Sequence, residues 1–569
     1  MRTKTAPGSR ALHVALRYLI RVLMCRSPAL INRAACLAPG HPSSSPMYDH
    51  IGIGFGPANL ALCISLHENE EARAAQFSMC FLERQPQFAW HPSLLLPGAQ
   101  LQVSPLKDLA TMRDPTSSYT FLNFLHCEGR LMQYINREEK VPSRREWSAY
   151  LAWAARRMDA YVRYGCNVQD IIPETQENGC VAYRVVYRRD THIESLLAWN
   201  ISLAVGGAAN VPRVFSAMYE PEADAMLPVV HASTFLPQMA RFGATLHAKA
   251  AAQPLRFAIV GGGQSSAEIL RYLRGRYPEA ALDMIFRAAA LVPSDDSPFV
   301  NSAAFDPSSV STFWESSARQ RRAQLAEFKR TNYSVVRNDL LCEVYEMLYD
   351  QEIEYREPDE EPKGLVRILA NTELVHAEVL PGGRIRIDSC TNAGDTLERS
   401  DAYDAVFLGT GFQRDPSHLP FVRTLAAHFP LLAPHGKREF EAQELALDEQ
   451  VAQSHDPETL RAQLRGITRD YRLVPSDGSP SPATLPDTVA MRIPRSRLGR
   501  EGSRDSSVAR STPDDRDPAP APPVQAPRDG AVFVFGSNES THGLSDSLMS
   551  MVAHRAGIVT ASLLAAKRA

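Results

Sequence analysis

Closely spaced glycines after apolar runs are the first chemistry that this chain of 569 residues offers. Gly52, Gly54 and Gly56 follow one such run, and Pro57 and an apolar pattern over residues 60–66 come next. Gly261 and Gly263 follow a second run over residues 256–260, ahead of Gln264, Ser265 and Ser266. A turn of this kind brings backbone amides at a helix N-terminus to a pyrophosphate, whose charge the helix dipole favours. In the first, Gly52 permits the tight turn and Gly54 the close approach, while Pro57 replaces the third glycine and is compatible with a first helical turn. Glu83 ends the next apolar stretch and suits a ribose hydroxyl, although it lies further on than the roughly 20 residues of the standard fingerprint. In the second, residues 263–266 offer amides and hydroxyls to phosphates. Arg287 follows the next strand, where a guanidinium suits the 2′-phosphate of NADP and an acid would select NAD. A single glycine turn is common in α/β proteins. Two in one chain imply two dinucleotides held face to face, a flavin supplied by a nicotinamide.

The elements around these turns must position them. Strand and helix patterns alternate along the chain, so the expected fold class is α/β with two Rossmann-like dinucleotide-binding domains. The length requires more than one core. Residues 47–250 are expected to form the first part of the FAD-binding domain and residues 251–400 the NADPH-binding domain. Residues 401–474 and 531–569 would complete the FAD domain, with the strand at residues 405–408 closing it. Residues 1–46 carry seven Lys/Arg and no acid. A basic targeting or membrane-surface helix is one reading of them, and an extension outside the fold is the expected one. Residues 475–530, dense in Pro, Ser, Arg and Asp, are expected to be a disordered insertion. A net charge of −3 argues against a nucleic-acid partner. The nine cysteines include no Cys-x-x-Cys pair, which excludes a redox dithiol and a zinc ribbon. No window approaches the roughly 18 uninterrupted apolar residues of a membrane span, so no stable membrane insertion and a cytoplasmic location are expected.

Further motifs lie between and after the turns: Leu101-Gln-Val-Ser-Pro-Leu-Lys-Asp108, Pro142-Ser-Arg-Arg-Glu-Trp147, Ser294-Asp-Asp-Ser-Pro-Phe-Val-Asn301, Asn332-Tyr-Ser-Val-Val336 and Thr541-His-Gly-Leu-Ser-Asp-Ser-Leu548. Composition and spacing do not say what these do. Together, over about residues 47–470 and 531–560, they closely resemble the L-ornithine N5-monooxygenases of hydroxamate siderophore biosynthesis, including proline at the third fingerprint position. That resemblance implies FAD and NADPH as cofactors, L-ornithine and O2 as substrates, and a homotetramer. It also implies a smaller, mostly helical substrate-binding region around residues 291–340. Carried over, Gln102 sits against the flavin, and Lys107 and Asn301 hold the substrate α-carboxylate. Asn332 orients the side-chain amine, and the backbone at Val168 meets the adenine. Leu544, Ser545 and Asp546 meet the flavin at a helix start capped by Ser545 or Asp546, and Ser547 touches substrate. His542 is given no chemistry.

The implied reaction runs through a C4a-hydroperoxyflavin whose distal oxygen is taken by the neutral amine, giving N5-hydroxyornithine. An ammonium has no lone pair, and a model amine pKa of about 10.4 means that the site must favour the neutral form. The nearest alternative is an N-hydroxylase of lysine or of a diamine such as putrescine, the latter needing no carboxylate clamp.

Overall fold

The computed structural model describes residues 47–137, 141–220, 229–354, 363–391, 399–476 and 529–568. The expectations for residues 1–46 and for nearly all of 475–530 lie outside the described residues. Two sheets organise the rest.

The first sheet holds β1 (Met47–Ile53), β2 (Met79–Glu83), β3 (Val162–Tyr164), β4 (Cys166–Thr175), β5 (Val181–Arg189) and β6 (His192–Leu203) in the order β3-β2-β1-β6-β5-β4. Strands β3, β2, β1 and the C-terminal half of β6 run parallel, and β4 to β6 form an antiparallel meander. Helix α1 (Pro57–Glu68) leaves β1 through the first glycine turn, with proline at its N-terminus. Proline has no N–H to lose there and its φ is already helical. Helix α2 (Arg144–Arg157) starts at Ser143, whose hydroxyl accepts from the Glu146 amide at 3.1 Å. It buries Trp147, Tyr150 and Trp153 against Phe121 and Phe124.

The second sheet contains β7 (Val229–His231), β8 (Arg256–Val260), β9 (Ala281–Ile285), β10 (Val366–Leu369) and β11 (Ala405–Leu408), all parallel, in the order β10-β9-β8-β11-β7. Two sequence expectations change here. Strand β11 does not close the first sheet; it pairs with β8 and β7 in the second. The second sheet also begins at β7, well ahead of residue 251. A four-residue apolar strand buried on both faces reads the same in either parallel sheet, so only pairing assigns it. Closure of the first sheet instead falls to β12 (Val532–Val534), which lies parallel to β6.

An antiparallel ribbon of Ala208–Ala209 with Phe412–Gln413 ties together the two crossings between the sheets. Between β9 and β10 lies a mainly helical stretch bracketed by a second ribbon, Val292–Pro293 with Val335–Val336. Helix α3 (Gln264–Arg276) precedes this stretch and joins β8 to β9. The stretch itself includes α4 (Pro298–Ala304) and α5 (Ala318–Asn332), the latter opened by a capping box between Ser317 and Gln320. Helix α6 (Val552–Arg568) ends the described chain. Together with the short turn before it, this is the one helix among the described residues long and apolar enough to cross a membrane. It is a core helix: Val559, Leu563 and Leu564 are buried, and Thr560 donates to Ser65 of α1 at 2.8 Å.

Candidate active site

The first glycine turn is closed around its own backbone. Gly54 has φ +80, and a Cβ there would lie 2.7 Å from the Ala204 carbonyl at the end of β6. At Gly52 a Cβ would strike the Phe81 ring at 2.3 Å. Gly56 differs: nothing lies within 4 Å of where its Cβ would stand. No side chain caps α1, so its first amides face that open space. An uncapped helix N-terminus beside an open backbone cradle fits a pyrophosphate. Glu83 braces the turn, its carboxylate accepting from the Phe55 amide at 2.7 Å and the Gln85 amide at 2.8 Å. Each oxygen keeps a lone pair for a ribose hydroxyl. Val168 sits near the start of β4, at a bulge in its pairing with β5.

The second turn repeats the device. Gly261 has φ +122, with the Gly409 carbonyl 2.6 Å from a built Cβ. Gly263 precedes α3, which again has no side-chain cap. Ser265 is half-buried beside this cradle, whereas Ser266 is fully buried and its hydroxyl donates to the Gly409 carbonyl at 3.4 Å. The Ser266 hydroxyl thus faces the strand end rather than the open side of the loop, because helical periodicity turns the third residue of α3 inward. Arg287 is exposed, just beyond β9.

The loop after residue 100 meets the second turn through side chains. Gln102 donates to Gln264 at 3.3 Å. Gln264 also accepts from the Arg337 amide at 2.8 Å and donates to Glu268 at 2.9 Å. Glu268, buried on α3, takes a two-pronged grip from Arg144 of α2 at 2.6 and 3.0 Å. Arg144 stands in one of the sequence motifs, yet nothing in the sequence names its partner.

Residues 101–120 have no regular secondary structure, so side chains must hold them. Asp108 is buried and accepts from the Ala110, Thr111 and Phe121 amides at 2.6–2.9 Å, as well as from the Thr111 hydroxyl. Burial pushes its carboxyl up, and these bonds pull against that shift. Tyr150 accepts from the Leu109 amide at 3.1 Å and donates to the Tyr119 carbonyl at 2.7 Å. So anchored, the loop delivers Lys107 to α4. The Lys107 ammonium donates to Asn301 Oδ1 at 3.1 Å and to the Phe305 carbonyl at 3.3 Å. The Asn301 amide is oriented for this by donating to the Asp296 carbonyl at 2.8 Å. An ammonium has three donors, and the third is left for a ligand anion. Burial lowers the Lys107 pKa, with Asp306 opposing.

Asn332 ends α5 and is half-buried. The carbonyl of the preceding residue, Thr331, accepts from the Asp295 amide at 3.3 Å, which ties the end of α5 to the segment ahead of Asn301. The hydroxyl of the next residue after Asn332, Tyr333, lies 3.3 Å from Ser547 Oγ. Leu544, Ser545 and Asp546 are buried in a short 3-10 turn, Leu544–Ser547. Neither Ser545 nor Asp546 caps its start, which falls at Gly543 without a side-chain bond. Asp546 instead accepts from the Asn538 amide at 2.8 Å and pairs with Arg555 at 2.7 Å, both carboxylate and guanidinium being almost fully buried. The Asp546→Ala protein leaves Arg555 charged and without its carboxylate inside the core, with the residue 546 carbonyl still accepting from it. A loss of about 3–5 kcal/mol is expected for such a break, and denaturant unfolding of the variant beside the parent protein measures it. His542 is buried and stacked on Tyr471 at 4.2 Å, with burial holding its pKa down to about 4. It is a neutral packing residue.

Comparisons with known proteins identify the family and the fold. The family model described as "L-lysine 6-monooxygenase/L-ornithine 5-monooxygenase" matches residues 46–414. An L-ornithine N(5)-monooxygenase of Mycosarcoma maydis is 44% identical, over 91% of this chain and 85% of its own length. Among solved structures, the ornithine hydroxylase PvdA from Pseudomonas aeruginosa is 28% identical with a TM-score of 0.68, covering 92% of this chain and 100% of its own. The Kutzneria sp. 744 ornithine N-hydroxylase KtzI, in its form with reduced FAD, NADP+ and L-ornithine, is 26% identical with a TM-score of 0.68, covering 91% of this chain and 99% of its own.

Proposed function

The chain belongs to the L-lysine 6-monooxygenase/L-ornithine 5-monooxygenase family, and from that membership we propose that FAD and NADPH are its cofactors and that Lys107, Asn301, Asn332 and Ser547 hold its substrate. It is a flavin-dependent monooxygenase that hydroxylates the side-chain nitrogen of L-ornithine, giving N5-hydroxyornithine for hydroxamate siderophore assembly.

When bound, the reduced flavin supplies the activated oxygen that the amine takes up. The chain's residues place that amine. The observation that carries the reading is the Lys107–Asn301 clamp, half-buried and aimed from the flavin-side loop onto α4. A cation held there matches an α-carboxylate and gives no advantage to a diamine. It also discourages a second positive charge nearby, so the tail of the substrate is favoured as the neutral amine. Fixing both ends of a short substrate in a near-attack pose is worth roughly 7–11 kcal/mol in favourable cases. The Gln102–Gln264 contact supports a flavin and a nicotinamide meeting at one point. A cytoplasmic tetramer is part of the same proposal.

A hydroxylamine-product assay run in parallel with ornithine, lysine and putrescine tests it. Ornithine is expected to give the most product per NADPH consumed, and equal product from putrescine would overturn the carboxylate clamp. The choice of NADPH over NADH rests on Arg287. The Arg287→Ala enzyme should show an NADPH KM raised by about 10- to 100-fold, the equivalent of one charge-assisted phosphate contact, with the NADH KM little changed. Equal shifts for both nucleotides would remove Arg287 from the 2′-phosphate.

A further inference from the structure

Glu539 opens the short helix Glu539–His542 and has no part in the roles given above. Its Oε1 accepts the hydroxyl proton of Ser547 at 2.6 Å and also that of Tyr333. Arg414 Nη1 stands 3.7 Å from the same oxygen and donates to Tyr333 Oη at 3.3 Å. Lys437 also acts on Glu539; it donates to the Ser537 carbonyl just ahead of the helix. Arg321 of α5 donates to the Ser540 carbonyl at 3.0 Å, and Asp546 lies beyond the helix, paired with Arg555. Burial first, and Glu539 second, push the Tyr333 pKa up to about 12, so that its hydroxyl keeps its proton.

A hydroxyl has one proton to give and two lone pairs. With its proton committed to Glu539, Ser547 meets anything else only as an acceptor. Its complement is an N–H donor, and a neutral primary amine carries two N–H groups and one lone pair. An N–H given to Ser547 turns that lone pair elsewhere, towards the oxygen it must attack. A bare carboxylate at this distance would favour the ammonium, which has no lone pair to use. Arg414 offsets that charge.

We propose that Glu539 is a positioning residue for the N-hydroxylation, holding the Ser547 hydroxyl as an acceptor for the side-chain amine while Arg414 keeps the pair from stabilising the protonated tail. This rests on the reading of Ser547 as a substrate contact.

The test compares Glu539→Ala and Glu539→Gln with the parent flavin-loaded enzyme, reading ornithine affinity by calorimetry, hydroxyornithine formed per NADPH consumed, and the pH profile of that ratio. Glu539→Ala frees the Ser547 proton. Its ornithine affinity is expected to fall by about tenfold, the size of one hydrogen-bond contact, with a lower product ratio. Glu539→Gln keeps an accepting oxygen and should recover most of the ratio. It also leaves Arg414 without its counter-charge, so the ammonium is disfavoured and the midpoint of the pH profile moves down. Should Glu539→Ala fail to fold, Glu539→Gln carries the test through that midpoint. Unchanged affinity, ratio and midpoint in the variants overturn the proposal. So does a Glu539→Gln enzyme as poor as the alanine variant with the parent's pH midpoint, which marks a merely structural carboxylate. A parent enzyme that forms no hydroxyornithine defeats the reading of the reaction itself, a result distinguishable from either.

Discussion

The Lys107→Ala enzyme is expected to need about 10- to 100-fold more ornithine for half-saturation while it continues to oxidise NADPH without forming product. The magnitude follows from the bond removed. A hydrogen bond to a charged group contributes about 1.5–3 kcal/mol net, and each 1.4 kcal/mol is tenfold in affinity. Lys107 also donates to Asn301 Oδ1 and the Phe305 carbonyl, so its loss leaves two acceptors beside the substrate without their partner. A loosely held substrate no longer presents its amine, and the reducing equivalents drain to peroxide. Binding and coupling should therefore fail together. The pH dependence has a definite sign: burial lowers the Lys107 pKa, so ornithine affinity in the parent enzyme weakens as pH rises through that lowered value. The variant should lose this dependence. Ornithine saturation unchanged by the substitution would show that the carboxylate lies elsewhere.

Replacing Gly54 with alanine should yield a protein that purifies colourless. Two costs coincide at this position. Its φ of +80 is a left-handed conformation that costs an L-residue about 1–2 kcal/mol. The added methyl also meets the Ala204 carbonyl at 2.7 Å, and a main-chain oxygen at the end of a central strand has no rotamer to escape into. The turn must open, which displaces the amides that would meet the flavin pyrophosphate. Gly261→Ala is the matched control: φ +122 and a 2.6 Å approach to the Gly409 carbonyl impose the same conflict on the second sheet. That variant should stay yellow and lose its response to NADPH. Visible flavin absorbance and NADPH-driven bleaching separate the two, and a yellow, fully flavin-loaded Gly54→Ala protein would refute the assignment of the first turn.

Much of the site was legible because its constraints are local. Gly54 and Gly261 occupy backbone conformations that other residues resist, so residue type alone reports them. Pro57 at a helix start follows the same logic, since a few consecutive residues decide helix initiation. Lys107 and Asn301 were found by resemblance, not by spacing. Their contact joins residues far apart in the chain, and no periodicity records it. The carboxylate of Glu539, just ahead of the Thr541–Leu548 motif, carried no signal at all, because its meaning depends on Tyr333 and Ser547 arriving from other elements.

By itself the sequence determined that there are two nucleotide turns, where their helices begin, and which family's motifs the chain carries. Tertiary structure alone decided that the strand Ala405–Leu408 joins the second sheet, that the Ser266 hydroxyl turns inward, that Asp546 is taken by Arg555, and which groups surround the amine. The physical reason is one of range. Backbone torsion and helix capping are settled among neighbours in the chain. Strand pairing, buried charge and hydroxyl orientation are settled by whatever the folded chain brings within about 3 Å.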